Sequence, residues 1–401
     1  TLVYCYVPAA VDENGVLNIT AKNVGASAYV GQPGIKKVVF SKDITTIGAN
    51  AFEGCSNLTT VEFDKESGSI LAIPNYAFNN CTSLTTVANM PASITKIGNY
   101  AFSGCKSLKS IVYGDGVTEL GNFAFQNSGL TEITFPKKLK TLGQYVFKGC
   151  AAVTQNPQSV LINGKTVTVY KPVAVNLPKT VTSLANSAFR DVQISSLTLP
   201  EGLASVGDYA FYNSFITSDC AKTVTIPYTV TTIGTNVFEG DICLTKIEIT
   251  DTAQFPSKLT TVGDYAFKGS GITSFSFPAS VTTTGKRDYK LFENCYSLKK
   301  VEFAEGIKLT EIKKQLFINC TALETVIIPE GIKQIGENAF DGCSSLETID
   351  LPDSLEFIGR LAFKKSGLTE ITIPEKVKYL AKAKTLSSSS NLKGGSRTDP
   401  A

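Results

Sequence analysis

One stretch, Ile97–Tyr113 (IGNYAFSGCKSLKSIVY), recurs with variations from about residue 44 to about residue 380. Its landmarks are Ile-Gly, then Ala-Phe, then Cys, then a spaced Leu and Ile, with Pro and a turn after most copies. Thirteen copies are counted by their phenylalanine: Phe52, Phe78, Phe102, Phe125, Phe147, Phe189, Phe211, Phe238, Phe267, Phe292, Phe317, Phe340 and Phe363. Successive gaps run from 22 to 29 residues, except for one of 42 between Phe147 and Phe189. An internal period of this size marks a solenoid, because one copy cannot bury its own apolar faces and a stack of copies can. A chain of 401 residues would otherwise suggest two or three domains. A solenoid grows in one dimension and needs no domain break.

Each copy reads as one coil of a β-rich solenoid of leucine-rich type. Leu58, Val61 and Phe63 give a short strand, and Leu108/Ile111 and Leu346/Ile349/Leu351 repeat it. Pro136, Pro200, Pro329 and Pro374 follow such strands; proline has no N–H for a ladder and ends them. Val230 to Ile233-Gly234 and Leu355 to Ile358-Gly359 lead back, with the glycine expected to bend the chain at positive φ. Ala-Phe is expected on a single helical or 3-10 turn. Stacking then sets each Phe above the last in an internal spine, each ring worth about 1.5–3 kcal/mol against exposure. The expected fold is a single right-handed curved superhelix of about 13 coils, a rod of about 60 Å at about 4.7–4.9 Å per coil.

Residues 1–43 depart from the repeat and are expected to cap the first coil as a short hairpin or strand pair about Asn14-Gly15, with a partial repeat from Gly34. Residues 44–380 form the solenoid. Within it, 151–183 break the rhythm with two β-rich runs about Asn163-Gly164, a hairpin signal. Such excursions often line a binding face; an inert surface loop is the alternative. Residues 381–401 are Ser/Gly/Lys-rich and read as a flexible tail.

The cysteines follow a rule. Where Cys stands three residues after Phe, the next Leu stands six after it: Cys55, Cys81, Cys105, Cys295, Cys320 and Cys343, with Cys150 followed by Val153. Where the turn carries Ser-Gly instead, the Leu or Ile comes at five: Leu130, Ile272 and Leu368. These thiols read as buried small apolar groups or as a metal or redox ladder. No Cys-x-x-Cys spacing is present for zinc. Cys220 and Cys243 lie outside the ladder on adjacent coils and are a candidate disulfide pair.

Histidine is absent, which removes the commonest general base and metal ligand. No P-loop, Gly-x-Ser-x-Gly or calcium-loop pattern occurs. No catalysis, cofactor or metal is expected. Net charge is +3 and the lysines sit as short pairs such as Lys36-Lys37 and Lys313-Lys314, a solvated face and not a nucleic-acid stripe. No apolar run reaches the length of a membrane span. The first residue is Thr1, without a signal pattern, and a signal peptide is expected to have been removed.

Two surfaces are candidates for a partner. The outward strand residues, among them Thr60, Glu62, Glu132 and Thr134, would suit a broad polar interface, or else form a solvated β-face rich in Thr for its strand propensity. An aromatic row stands two residues before the spine Phe: Tyr76, Tyr100, Phe123 and Tyr145 in consecutive coils, later Tyr209 and Tyr265. Such rings anchor partners at low entropy cost, or pack edge-on between turns.

The unit Ile335-Gly336-Glu337-Asn338-Ala339-Phe340-Asp341-Gly342-Cys343-Ser344-Ser345-Leu346 resembles the BspA-type leucine-rich repeat family of bacterial and some protist surface proteins. The resemblance covers about residues 44–380. It implies secretion or surface exposure, attachment to matrix proteins such as fibronectin and fibrinogen or to glycans, and coaggregation. It supplies no ligand residues. The expected function is a monomeric, non-enzymatic binding module of adhesin type; the alternative is a structural spacer presenting another domain.

Overall fold

A computed structural model describes residues 11–150, 158–162, 165–287 and 289–380. It is a β-solenoid of about 14 turns. The chain divides into two compact units, Thr1–Pro200 and Glu201–Ala401.

In the first unit the coils up to Thr86–Ala88 contribute a longer and a shorter strand, and the next two contribute the shorter one alone. Val16–Ile19, Lys37–Phe40, Thr60–Phe63 and Thr86–Ala88 form one parallel sheet. Their residues alternate inward and outward, as Thr60, Val61, Glu62 and Phe63 do. The two-residue strands Ala72–Ile73, Lys96–Ile97, Glu119–Leu120 and Thr141–Leu142 form a second parallel sheet. In the second unit Lys222–Ile226, Leu244–Ile249, Ser274–Phe277, Lys300–Phe303 and Thr325–Ile327 repeat the longer strand.

The phenylalanine spine is as the period implies. Phe52, Phe78, Phe102, Phe125 and Phe147 are fully buried, and their rings stack nearly parallel at 5.5–5.7 Å. In the second unit Phe211, Phe238, Phe267, Phe292, Phe317, Phe340 and Phe363 stack at 5.1–5.7 Å. Tyr29 heads the spine, 5.2 Å from Phe52 with the rings 7° from parallel. The expected cap is therefore corrected: residues 16–47 form a coil of their own, Val16–Ile19 pairing with Lys37–Phe40 and Asn23–Val24 with Thr46–Ile47. The Asn14-Gly15 turn is present, closed by one antiparallel bridge, Val11 to Leu17.

The expected hairpin lies in Gln158–Ile162 and Lys165–Val169, antiparallel in full register; the loop Asn163-Gly164 is outside the described residues. The chain then re-enters the stack through Val173–Asn176, parallel to Ile194–Thr198. The stack closes over the excursion: Phe147 and Phe189 stand 6.3 Å apart, and the Tyr145 amide donates to the Ser187 carbonyl at 3.0 Å.

Two local expectations are corrected. Ala-Phe lies on isolated hydrogen-bonded turns, and no helix occurs among the described residues. The cause is a left-handed residue on either side. Two positions before the spine Phe, Asn50, Tyr76, Tyr100, Phe123 and Tyr145 have φ of 54–60°; two positions after it, Asn80 and Asn127 have 57° and 52° and Gly54, Gly104 and Gly149 have 70–75°. A left-handed residue ends a right-handed helix before it can extend. The glycine after isoleucine, in turn, does not sit at positive φ at Gly48, Gly98, Gly234 or Gly336, nor does Gly121 after Leu120; Gly285, after Thr284, does, at 75°. Its role is close approach. A Cβ on Gly98 would meet the Asn75 backbone nitrogen at 2.6 Å, and one on Gly336 would meet that of Lys314 at 2.4 Å.

Disulfide geometry joins Cys220 and Cys243, whose Cα atoms are 4.3 Å apart. The ladder cysteines are free and buried.

Candidate binding surface

The surface is built from the same turn. After Gly98 the residue Asn99 accepts the Asn122 amide on its Oδ1 at 2.8 Å, as Asn75 does from Asn99 and Asn122 from Gln144. This asparagine ladder fixes the turn one residue before the aromatic row. The row residue then donates its own amide to the next coil: Tyr76 to Asn99 at 2.9 Å, Tyr100 to Asn122 at 2.9 Å, Phe123 to Gln144 at 2.8 Å. Held so, each backbone takes the left-handed conformation and leaves its ring half-buried.

Tyr76, Tyr100, Phe123 and Tyr145 are brought together. Their rings form one continuous stack with centroids 4.8, 4.6 and 5.0 Å apart and planes within 11° of parallel. All four are half-buried. The edge-on packing weighed for them is corrected: the rings meet face to face because identical backbone angles repeat once per coil. Burial, with the Tyr76 phenol beside it, pushes the Tyr100 hydroxyl above the usual tyrosine range. Lys148 Nζ stands 5.1 Å from the Tyr145 ring, at the end of the stack.

The strand-face residues are placed differently. Thr60 and Glu62 point outward on one strand, and Glu62 already pairs with Lys37 of the preceding coil at 2.7 Å. Glu132 and Thr134 are exposed as expected but belong to no strand; the longer sheet of the first unit ends at Thr86–Ala88. Much of the threonine on this side is structural: Thr59 and Thr85 hydroxyls donate to the carbonyls of Lys36 and Thr59 one coil earlier, at 2.9 and 3.0 Å. The same side is neutralised in the second unit by Lys246–Glu248 and Lys300–Glu302, both 2.6 Å.

A sequence reading had no access to the left-handed backbone under the rings, since tyrosine is uncommon there. The asparagine ladder was visible as Asn75, Asn99 and Asn122, each just before the row. Among the described residues no three of His, Cys, Asp and Glu gather to hold a metal ion, and no helix is long and apolar enough to cross a membrane.

The BspA type leucine rich repeat region matches this chain in six copies, over residues 22–154, 171–290 and 260–393. The chain belongs to the BspA-type leucine-rich repeat family. Among solved structures, this BspA-type chain is similar to a leucine-rich repeat protein from Bacteroides ovatus, with TM-score 0.61 and 22% identity over 90% of this chain and 88% of the other. It is also similar to the pneumococcal vaccine antigen PcpA, with TM-score 0.42 and 20% identity over 88% and 80%. A leucine rich cell surface protein from Faecalibacterium prausnitzii has TM-score 0.35 and 21% identity over 86% and 87%. The likeness to the Bacteroides ovatus protein, at 22% identity, is likeness of fold. No curated protein matches the BspA-type chain.

Proposed function

We propose that the chain is a monomeric, non-enzymatic binding module of adhesin type, secreted or surface-exposed, that holds a protein or glycan partner on its extended repeat face. The observation that carries this reading is the half-buried stack of Tyr76, Tyr100, Phe123 and Tyr145. The turn does not need these rings. Asn50 and Ser187 hold the same position with φ of 60° and 58°. Asparagine suits a left-handed backbone better than tyrosine, and the strain there is about 1–2 kcal/mol per residue. Three stacked pairs return about 0.5–1.5 kcal/mol each. Four aromatic residues are thus kept where folding alone favours other residues, and backbone strain of this kind points toward function. The Cys220–Cys243 disulfide supports an oxidising, extracellular setting.

The spacer reading is supported by one feature, the mutual neutralisation of charge along the strands (Lys37–Glu62, Lys96–Glu119). Binding to immobilised fibronectin, fibrinogen and a glycan array separates the two. A Tyr76→Asn/Tyr100→Asn/Tyr145→Asn variant keeps the backbone and removes three rings. Saturable binding by the parent, lost in this variant, supports the adhesin reading and its site. Binding that survives there but is lost without residues 151–183 moves the site to the hairpin. No binding at micromolar concentration leaves the spacer reading ahead.

A further inference from the structure

In the second unit the two ends of the Cys220–Cys243 disulfide meet different surroundings. Cys243 is fully buried. Cys220 is exposed, and so are its neighbours Ser218, Asp219 and Ala221. Thiol–disulfide exchange begins when a thiolate attacks one of the two sulfurs, and access decides which. Cys243 offers no surface to solvent, so the attack falls on Cys220 and the sulfur expelled is that of Cys243.

The expelled sulfur has a place. It stands 3.2 Å from the carbonyl oxygen of Thr217 in the preceding coil, the distance at which the Cys105 and Cys343 thiols donate to carbonyls one coil away. As a thiol it packs like those. As a thiolate it does not persist, since burial disfavours the charged form; at the equally buried Cys295, burial pushes the thiol up to about 12. The return attack on Cys220 requires that thiolate. Burial therefore slows exchange in both directions, and an adduct formed on Cys220 is retained.

The chain around the bond is held without it. The Cys243 amide donates to the Phe215 carbonyl at 3.0 Å, and the Cys243 carbonyl accepts the Ala221 and Lys222 amides at 3.3 and 2.9 Å. Asp241 Oδ1 accepts the Ser214 and Phe215 amides at 2.6 and 2.9 Å. Residues 216–220 alone lie between these anchors, so opening the bond leaves the stacking of Phe211 on Phe238 in place. Ala221 sits at φ 95°, a strained conformation for a residue with a side chain, and opening the bond gives it room to relax. Lys222 Nζ lies 2.7 Å from the carboxylate of Asp219, the residue before Cys220, and offsets the charge that an approaching thiolate would meet.

We propose that Cys220 is a modification site, where a low-molecular-weight thiol exchanges into the disulfide and remains as a mixed disulfide. The sulfur of the small thiolate bonds to the Cys220 sulfur, the bond between Cys220 and Cys243 breaks, and its electron pair leaves on Cys243. Cys243 takes up from water the proton that the small thiol gave to it. One disulfide and one thiol become another disulfide and another thiol, so no oxidant is consumed. The site lies wholly in the second unit and does not require the four-ring stack to bind anything.

The test incubates the folded full chain with an equimolar mixture of glutathione and glutathione disulfide at millimolar concentration, quenches with acid and maps adducts by peptide mass spectrometry. Trypsin cuts after Lys22 and Lys222, which puts Cys220, Cys243 and Cys5 on three different peptides, Cys5 being outside the described residues. The expected result is glutathione on Cys220 within hours, with Cys243 a thiol that iodoacetamide alkylates only after denaturation, and with the cooperative melt retained. Cys243→Ser expels no buried thiol and should take the same adduct at least about 10-fold faster. Cys220→Ser should take no glutathione on Cys243, and it carries the test with the parent if Cys243→Ser does not fold. A disulfide left intact, reduction without an adduct on Cys220, glutathione on Cys243, an adduct no faster in a folded Cys243→Ser, or loss of the cooperative melt with the adduct in place overturns the proposal.

Discussion

Cys81 donates its thiol hydrogen to the carbonyl oxygen of Phe52, 3.1 Å away and one coil earlier. The relationship repeats from Cys105 to Phe78, Cys150 to Phe125, Cys295 to Phe267, Cys320 to Phe292 and Cys343 to Phe317, at 2.9–3.2 Å. Each thiol is buried under the turn and is a second donor to a spine carbonyl that also accepts an amide of its own coil, as Phe52 does from Cys55 at 3.2 Å. Where the turn is one residue shorter, Ser128, Ser270 and Ser366 take the place of Cys. The following glycine is then forced, since a Cβ on Gly129 would meet the Lys106 carbonyl oxygen at 2.1 Å.

Cys105→Ala should destabilise the fold by about 1–2 kcal/mol, because it removes a fully buried sulfur and one of the two donors to the Phe78 carbonyl, the Cys81 amide at 3.2 Å being the other. Cys105→Ser keeps a donor and should lose less. Equilibrium denaturation of the two variants beside the parent measures the difference; equal losses would show that the thiol contributes volume alone.

Alkaline pH should weaken the ladder. Burial pushes the Cys150 and Cys295 thiols up to about 12, against Ser128 and Ser270 hydrogen bonds that lower them less. Unfolded cysteine titrates near 8.5. Above that pH the unfolded chain releases protons that the folded chain retains, so stability is complete below about 8.5 and falls as pH rises toward the folded value. At pH 10 the loss is about 2 kcal/mol per thiol. The stability gap between the parent and Cys150→Ala should shrink by that amount between pH 7 and pH 10 in urea titrations.

The two glycine classes should differ in how much an added side chain costs. Gly98→Ala forces a Cβ to 2.6 Å from the Asn75 nitrogen and should cost about 3 kcal/mol or more through backbone displacement. Gly54 has φ of 70°, and a Cβ there would meet no atom nearer than 3.7 Å. Gly54→Asn should therefore stay within about 1 kcal/mol of the parent. Thermal melts of the pair check this; similar losses at both positions would refute the distinction.

Opening the disulfide should act through the unfolded chain. Cys220 and Cys243 are 23 residues apart, and a loop of that length is worth about 3 kcal/mol. Cys220→Ser should lose that much. Cys243 would regain a ladder-like role, its sulfur standing 3.2 Å from the Thr217 carbonyl oxygen. Denaturation with and without reductant should show the parent, but not the variant, sensitive to reduction.

The period, the spine and the alternation of Cys and Ser-Gly turns were legible because each is a buried position where one side chain fits. The hairpin about Asn163-Gly164 was legible from its turn residues. The left-handed positions were half-legible: Gly or Asn stands two residues after Phe in eleven of thirteen copies, a conformational signature, but the tyrosines two residues before Phe mask its twin. The role of Gly98 was misread because close approach and positive φ select the same residue. Tyr29 was missed since the flanks of the first coil lack the Ile-Gly and Cys landmarks.

The closure of Phe189 over Phe147 makes the intervening segment a natural insertion port. The coils on either side find each other across 42 residues as they do elsewhere across 22 to 29, and closure entropy grows only about 0.6 kcal/mol per doubling of loop length. A foreign epitope or a small folded domain spliced in between Ile162 and Lys165 should be displayed while buried Ile162 and Val169 and the Gln193–Thr168 hydrogen bond stay in place, so this type of solenoid can diversify at one coil junction while its core sequence stays fixed.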